Sequence, residues 1–113
     1  FWMMASGQVS AFIMDDVLLA GAIANARNPK EFAVVGPPLA VTPYGLVMRK
    51  NDAAFKKLVD ATLLRLMQSG EMEKLYHKWF MSPIVPKGIN LNLPMNEQTR
   101  AAFLNPSDQG STP

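Results

Sequence analysis

Proline placement constrains this chain more than any other feature. Nine of its 113 residues are proline, three of them within 36–43 and five within 83–113. Each proline removes a backbone donor and fixes φ, which excludes it from helix interiors and central strands. Most regular structure is thereby placed in 1–35, interrupted at Asn28-Pro29, and in 44–82, joined by a crossing segment at 36–43. An extended tail follows from residue 83.

The length suits one small domain. With 49% hydrophobic and 18% charged residues, the chain has enough apolar mass for a core and too little charge for a disordered polymer. No apolar run approaches the roughly 18–20 residues needed to cross a bilayer. Cysteine is absent, which excludes a disulfide scaffold, thiolate zinc and a thiol nucleophile. The net charge is +2 with both signs interspersed, so no basic stripe exists to attract nucleic acid. Phe1-Trp2-Met3-Met4 is neither an initiation site nor a signal peptide, and reads as a cut end.

Local patterns then place the elements. Residues 1–6 read as the end of a helix closed by Gly7. Val9–Met14, Phe32–Val35 and Tyr44–Met48 read as short strands, the first buried on both faces as in a parallel sheet, with a buried helical turn as its alternative. A helix from Asp16 to about Ala26 lies between the first two, so the order suggests a βαβ unit. Asn51 or Asp52 can cap a long helix whose face is Phe55, Leu58, Val59, Thr62 and Leu66. Ser69-Gly70 interrupts it, and Met72, Leu75, Tyr76, Trp79 and Phe80 recur at helical spacing in the next. From 83 to 95 the chain should run extended over a surface, with Ile89, Leu91 and Leu93 turned toward it. Asn96 can cap a last short helix anchored by Phe103 and Leu104. Residues 107–113 are expected to be disordered.

Few residues could carry chemistry. Asp15 and Asp16 stand where a strand gives way to a helix, the place at which open α/β sheets meet their ligands. A carboxylate there attracts a cation, either a metal or an ammonium group; it can equally serve only to cap the helix. Adjacent residues at a strand end point in different directions. That assigns Asp15 to the ligand cleft and Asp16 to the cap. His77 is the single histidine and has no second ligand nearby, so it reads as a surface residue and no metal is expected. Tyr76, Trp79 and Phe80 could stack on a ligand, but at helical spacing aromatics usually fill a core. No serine has a nucleophile-elbow context, and no glycine-rich phosphate loop is present. Neither an enzyme nor a cofactor is expected.

In order along the chain, these pieces resemble the C-terminal portion of the extracellular solute-binding proteins, family 3, of amino-acid ABC transporters. The segments that carry the likeness are Ser6-Gly7-Gln8-Val9-Ser10-Ala11-Phe12-Ile13-Met14-Asp15-Asp16, Tyr44-Gly45-Leu46-Val47-Met48-Arg49-Lys50-Asn51-Asp52, and Ser69–Phe80 with its Lys78-Trp79-Phe80 ending. Pro83-Ile84-Val85-Pro86-Lys87-Gly88-Ile89-Asn90-Leu91-Asn92 resembles the tail of the glutamate/aspartate-binding branch. Each motif is loose alone; four in this order are specific.

The resemblance implies a two-lobed α/β fold of the periplasmic-binding-protein type II class, with parallel-sheet pieces flanked by helices. In that scheme 1–40 end the second lobe and 36–43 form the hinge. Residues 44–81 return to the first lobe, and 82–113 pack on it as a tail. Asp15 falls where the family binds the ligand's α-ammonium, and the implied partners are an amino acid and ABC permease subunits. The implied location is periplasmic or extracellular. The arginine that clamps the α-carboxylate in this family has no counterpart here, so the 113 residues alone are expected to bind no amino acid. Uncovered sheet edges would instead favour homo-oligomers or exchange of elements between chains. A small α/β module that docks a protein partner is the alternative reading.

Overall fold

The computed structural model describes residues 1–110. It contains five α-helices among them: α1 (Trp2–Ala5), α2 (Asp16–Ala24), α3 (Ala53–Gln68), α4 (Glu71–Phe80) and α5 (Glu97–Leu104), with a 3-10 turn at Pro29–Glu31. The chain divides into two compact units. One comprises Phe1–Gly36 and Lys78–Pro94; the other comprises Pro37–His77 and the described residues from Met95 on.

In the first unit, the end of α1 follows the glycine rule. Gly7 takes φ +74°, and the amides of Gly7 and Gln8 donate back to Met4 and Met3 at 3.0 and 2.8 Å. The ring of Phe1 lies 4.9 Å from that of Phe32, tying the two ends of this stretch. α2 ends two residues earlier than its sequence suggests, because the Asn25 side chain donates to the Gly21 carbonyl at 2.8 Å and occupies the C-cap. Beyond α4, Leu93 N donates to Phe80 O at 3.1 Å and Asn90 Nδ2 to Met81 O at 3.1 Å. The tail thus satisfies carbonyls at the end of α4 that the helix itself cannot. Ile84 and Ile89 pair as an isolated antiparallel bridge within this turn. Ile89, Leu91 and Leu93 are half-buried, in line with their alternation.

In the second unit, Asp52 Oδ1 accepts from Phe55 N at 3.0 Å and caps α3, with Asn51 before it at φ +63°. Gly70 at φ +76° makes the elbow between α3 and α4, and Arg65 spans that elbow to Glu71 at 3.2 Å. Asn96 Oδ1 caps α5 through Thr99 N at 2.7 Å. The inner face of α3 is rotated from the expected one: Val59, Leu63, Leu66 and Met67 are half-buried, whereas Phe55 and Leu58 are exposed. On α4, Met72, Tyr76 and Phe80 turn inward while Leu75 and Trp79 stay exposed. Of the two expected anchors on α5, Phe103 is half-buried and Leu104 is exposed.

The expected parallel-sheet pieces are not formed among the described residues. Val9–Met14, Phe32–Val35 and Tyr44–Met48 form no ladder, and no strand occurs among the described residues. A strand is held by hydrogen bonds to neighbouring strands and by cover on its faces. These runs have no ladder and little cover, and Ile13, Val35 and Val47 stand 76%, 84% and 101% exposed. Ala20 is the single buried hydrophobic residue described. The accessible surface is 9488 Å², against roughly 6,100 Å² for a folded monomer of this mass by size scaling. Much of the apolar surface encoded for burial is therefore uncovered.

Candidate ligand-binding site

The carboxylate pair lies in the first unit, at the start of α2. Asp15 holds the N-cap position with φ −56° and ψ 141°, and its carbonyl accepts from Leu18 N and Leu19 N at 3.1 and 2.9 Å. Its side chain makes no capping bond to the helix. The Asp16 carboxylate accepts from Val17 N at 2.7 Å. Backbone position and side-chain use are thus divided: Asp15 begins the helix through its main chain, and Asp16 engages its first amide. Both carboxylates are exposed.

Among the described residues no three of His, Cys, Asp and Glu converge. His77 lies exposed on α4, apart from the half-buried face of Met72, Tyr76 and Phe80. The Lys78 ammonium sits 5.1 Å from the centre of the Trp79 ring, a cation–π contact at an exposed site.

A second charged region surrounds the start of α3, where Met48, Arg49, Asn51, Asp52 and Lys56 line an open hollow. Lys50 also lines it, and Lys56 is engaged. Lys56 Nζ lies 2.6 Å from Asp60 and 2.7 Å from Asp108. The hydrogen bonds that Lys56 donates to Asp108 and then to Asp60 raise its pKa well above its ordinary value, and the bond accepted from Lys56 lowers that of Asp108. Further along, Arg100 of α5 pairs with Glu73 of α4 at 2.9 Å.

Sequence reasoning located Asp15 and Asp16 at a helix start and missed both long-range ion pairs. Lys56 reads as one more cation on a solvated helix face, and only its i,i+4 spacing to Asp60 was available as a signal. Asp108 lies in the stretch expected to be disordered, yet it meets Lys56, and Gln109 N donates to Ser107 Oγ at 3.1 Å. The last part of that expectation, residues 111–113, lies outside the described residues. No helix among the described residues is long and apolar enough to cross a membrane.

Comparison with known proteins places these features in a family. An L-glutamate/L-aspartate-binding protein of Pseudomonas aeruginosa is 46% identical over 98% of this chain and 37% of its own length. A glutamate/aspartate import solute-binding protein of Salmonella typhimurium is 44% identical over 96% of the chain and 36% of its own length. A glutamine-binding protein of an ABC transporter from Bacillus subtilis is 30% identical over 70% of the chain and 28% of its own length. The chain therefore spans little more than a third of the relatives it matches best among these. The sequence pattern of the bacterial extracellular solute-binding proteins, family 3, matches residues 4–82, and the chain belongs to that family.

Proposed function

We propose that this chain is part of the substrate-binding component of an ABC importer for glutamate or aspartate. The observation that carries the proposal is the 44–46% identity, over at least 96% of the chain, to two proteins named for binding those amino acids. The reading has no catalytic step. Its fold is two-lobed, of type II, and its sheets are completed by strands outside these 113 residues. Residues 1–40 belong to the second lobe, 36–43 to the hinge, 44–81 to the first lobe and 82–113 to a tail upon it. The protein works in the periplasm or outside the cell and delivers its ligand to permease subunits.

Within this reading Asp15 receives the α-ammonium of the amino acid. An ammonium taken from water needs a charged or strongly accepting partner. Asp15 stands at the N-cap of α2 with a carboxylate that makes no capping bond to the helix. The relatives named above do not favour the interaction-module alternative.

Isothermal titration calorimetry of the full-length protein tests both levels. Glutamate or aspartate should bind saturably, and Asp15→Asn should weaken binding by roughly 30-fold or more by leaving the ammonium poorly paired. Unchanged affinity in Asp15→Asn rejects the residue's role. Absence of binding to either amino acid in the unmutated protein rejects the function.

A further inference from the structure

The family match ends at Ser82, whereas the two glutamate/aspartate relatives match nearly the whole chain. The segment from Met95 to Asp108 lies beyond that match and makes specific contacts. α5 packs against α3. Met95, Arg100 and Phe103 share a hollow with Met67, Gly70 and Glu73, at the elbow between α3 and α4. Arg100 fastens this end to Glu73. The chain then runs back beside α3, and Asp108 reaches Lys56 near the opposite end of that helix.

The reach is sufficient. From Met67 back to Lys56, α3 rises about 16 Å at 1.5 Å per residue. The five residues after Phe103 can span up to about 17 Å, and the Lys56 and Asp108 side chains close the remaining distance.

We infer that 95–108 is a releasable strap over the α3–α4 elbow, held by the Arg100–Glu73 and Asp108–Lys56 ion pairs. Its attachments are individually weak. No residue of α5 is buried, and eight residues are too few to sustain a helix in water. Both ion pairs are solvent-exposed and therefore screened by salt. Such an element opens ahead of the rest of the fold. Opening uncovers Met67, the Gly70 turn and Glu73 while α3 keeps its own cap at Asp52. The inference is independent of which ligand the protein binds.

Hydrogen exchange of the full-length protein, read by peptide-level mass spectrometry, tests it. Arg100→Gln and Asp108→Asn should each speed exchange in 97–104 by roughly two- to fivefold, the range for one exposed ion pair. Raising salt from about 0.02 M to about 1 M should do the same to the unmutated protein. Amides in the middle of α3 should keep their rates throughout. Asn96→Ala, which removes the α5 cap, should also accelerate 97–104 alone. Rates in 97–104 that ignore both ion-pair variants and salt overturn the strap. So does equal acceleration of α3 and α5, which would make them one cooperative unit.

Discussion

Lys56 Nζ lies 2.7 Å from the Asp108 carboxylate, across 52 residues of sequence. The same ammonium meets Asp60 at 2.6 Å, so one cation serves its own helix and the tail together. That arrangement sets the sign of the tail's response to pH.

The hydrogen bond from Lys56, followed by its charge, holds the Asp108 carboxyl below its ordinary 3.8. A group with a depressed folded pKa stabilises the fold above its unfolded value, and that contribution is lost as pH falls through the folded value. Lys56 is shifted upward, so its contribution is complete below 10.5 and is lost only in stronger base. The contact is therefore intact across neutral pH and fails in acid. An NMR titration of the Asp108 carboxyl carbon should give a midpoint below 3.8, returning toward the ordinary value in Lys56→Gln. An ordinary midpoint in the unmutated protein would contradict the contact.

The caps of α3 and α5 make a local prediction. Asp52→Ala removes the acceptor for Phe55 N and should cost about 1 kcal/mol, whereas Asp52→Asn should be close to neutral because asparagine caps equally well. Urea denaturation of the full-length protein measures both. Equal losses in the two variants would show that the carboxylate acts in some other way.

Two glycines should respond to alanine with opposite signs. Gly70 sits at φ +76°, where an added Cβ meets no neighbour, so the penalty is that of the backbone alone, about 1–2 kcal/mol. Gly21 lies within α2, also with open space around it, and there alanine should stabilise by about 0.5–1 kcal/mol. Thermal melts of the two variants should move in opposite directions.

Asn90 donates to Met81 O and accepts from Asn92 N at 2.9 Å. Asn90→Ala removes both bonds from a partly buried site and should cost about 1 kcal/mol. Asn90→Asp keeps the acceptor for Asn92 but removes the donor to Met81, so most of the loss should remain. Recovery of full stability in Asn90→Asp, seen in denaturant midpoints, would put the importance on Asn92 instead.

The 113 residues expressed by themselves should self-associate. Ile13, Val35 and Val47 leave apolar side chains in water on runs whose backbone groups have no ladder partners, and such runs pair with another copy when nothing else covers them. Sedimentation velocity should show dimers or larger species. A compact monomer would overturn this expectation.

The sequence by itself determined where the helices lie, with only the end of α2 displaced. Caps at Asp52 and Asn96, the turn at Gly70 and the spacing of Met72, Tyr76 and Phe80 all act within one or two turns of the residues that encode them. Asp15 at a helix start was legible for the same reason. The tertiary structure decided what depends on distant partners. It turned Leu63 and Met67 inward in place of Phe55 and Leu58, and it joined Lys56 to Asp108 and Glu73 to Arg100. It also left three strand-like runs without ladders, because a helix closes its hydrogen bonds within its own segment and a strand must borrow them from another.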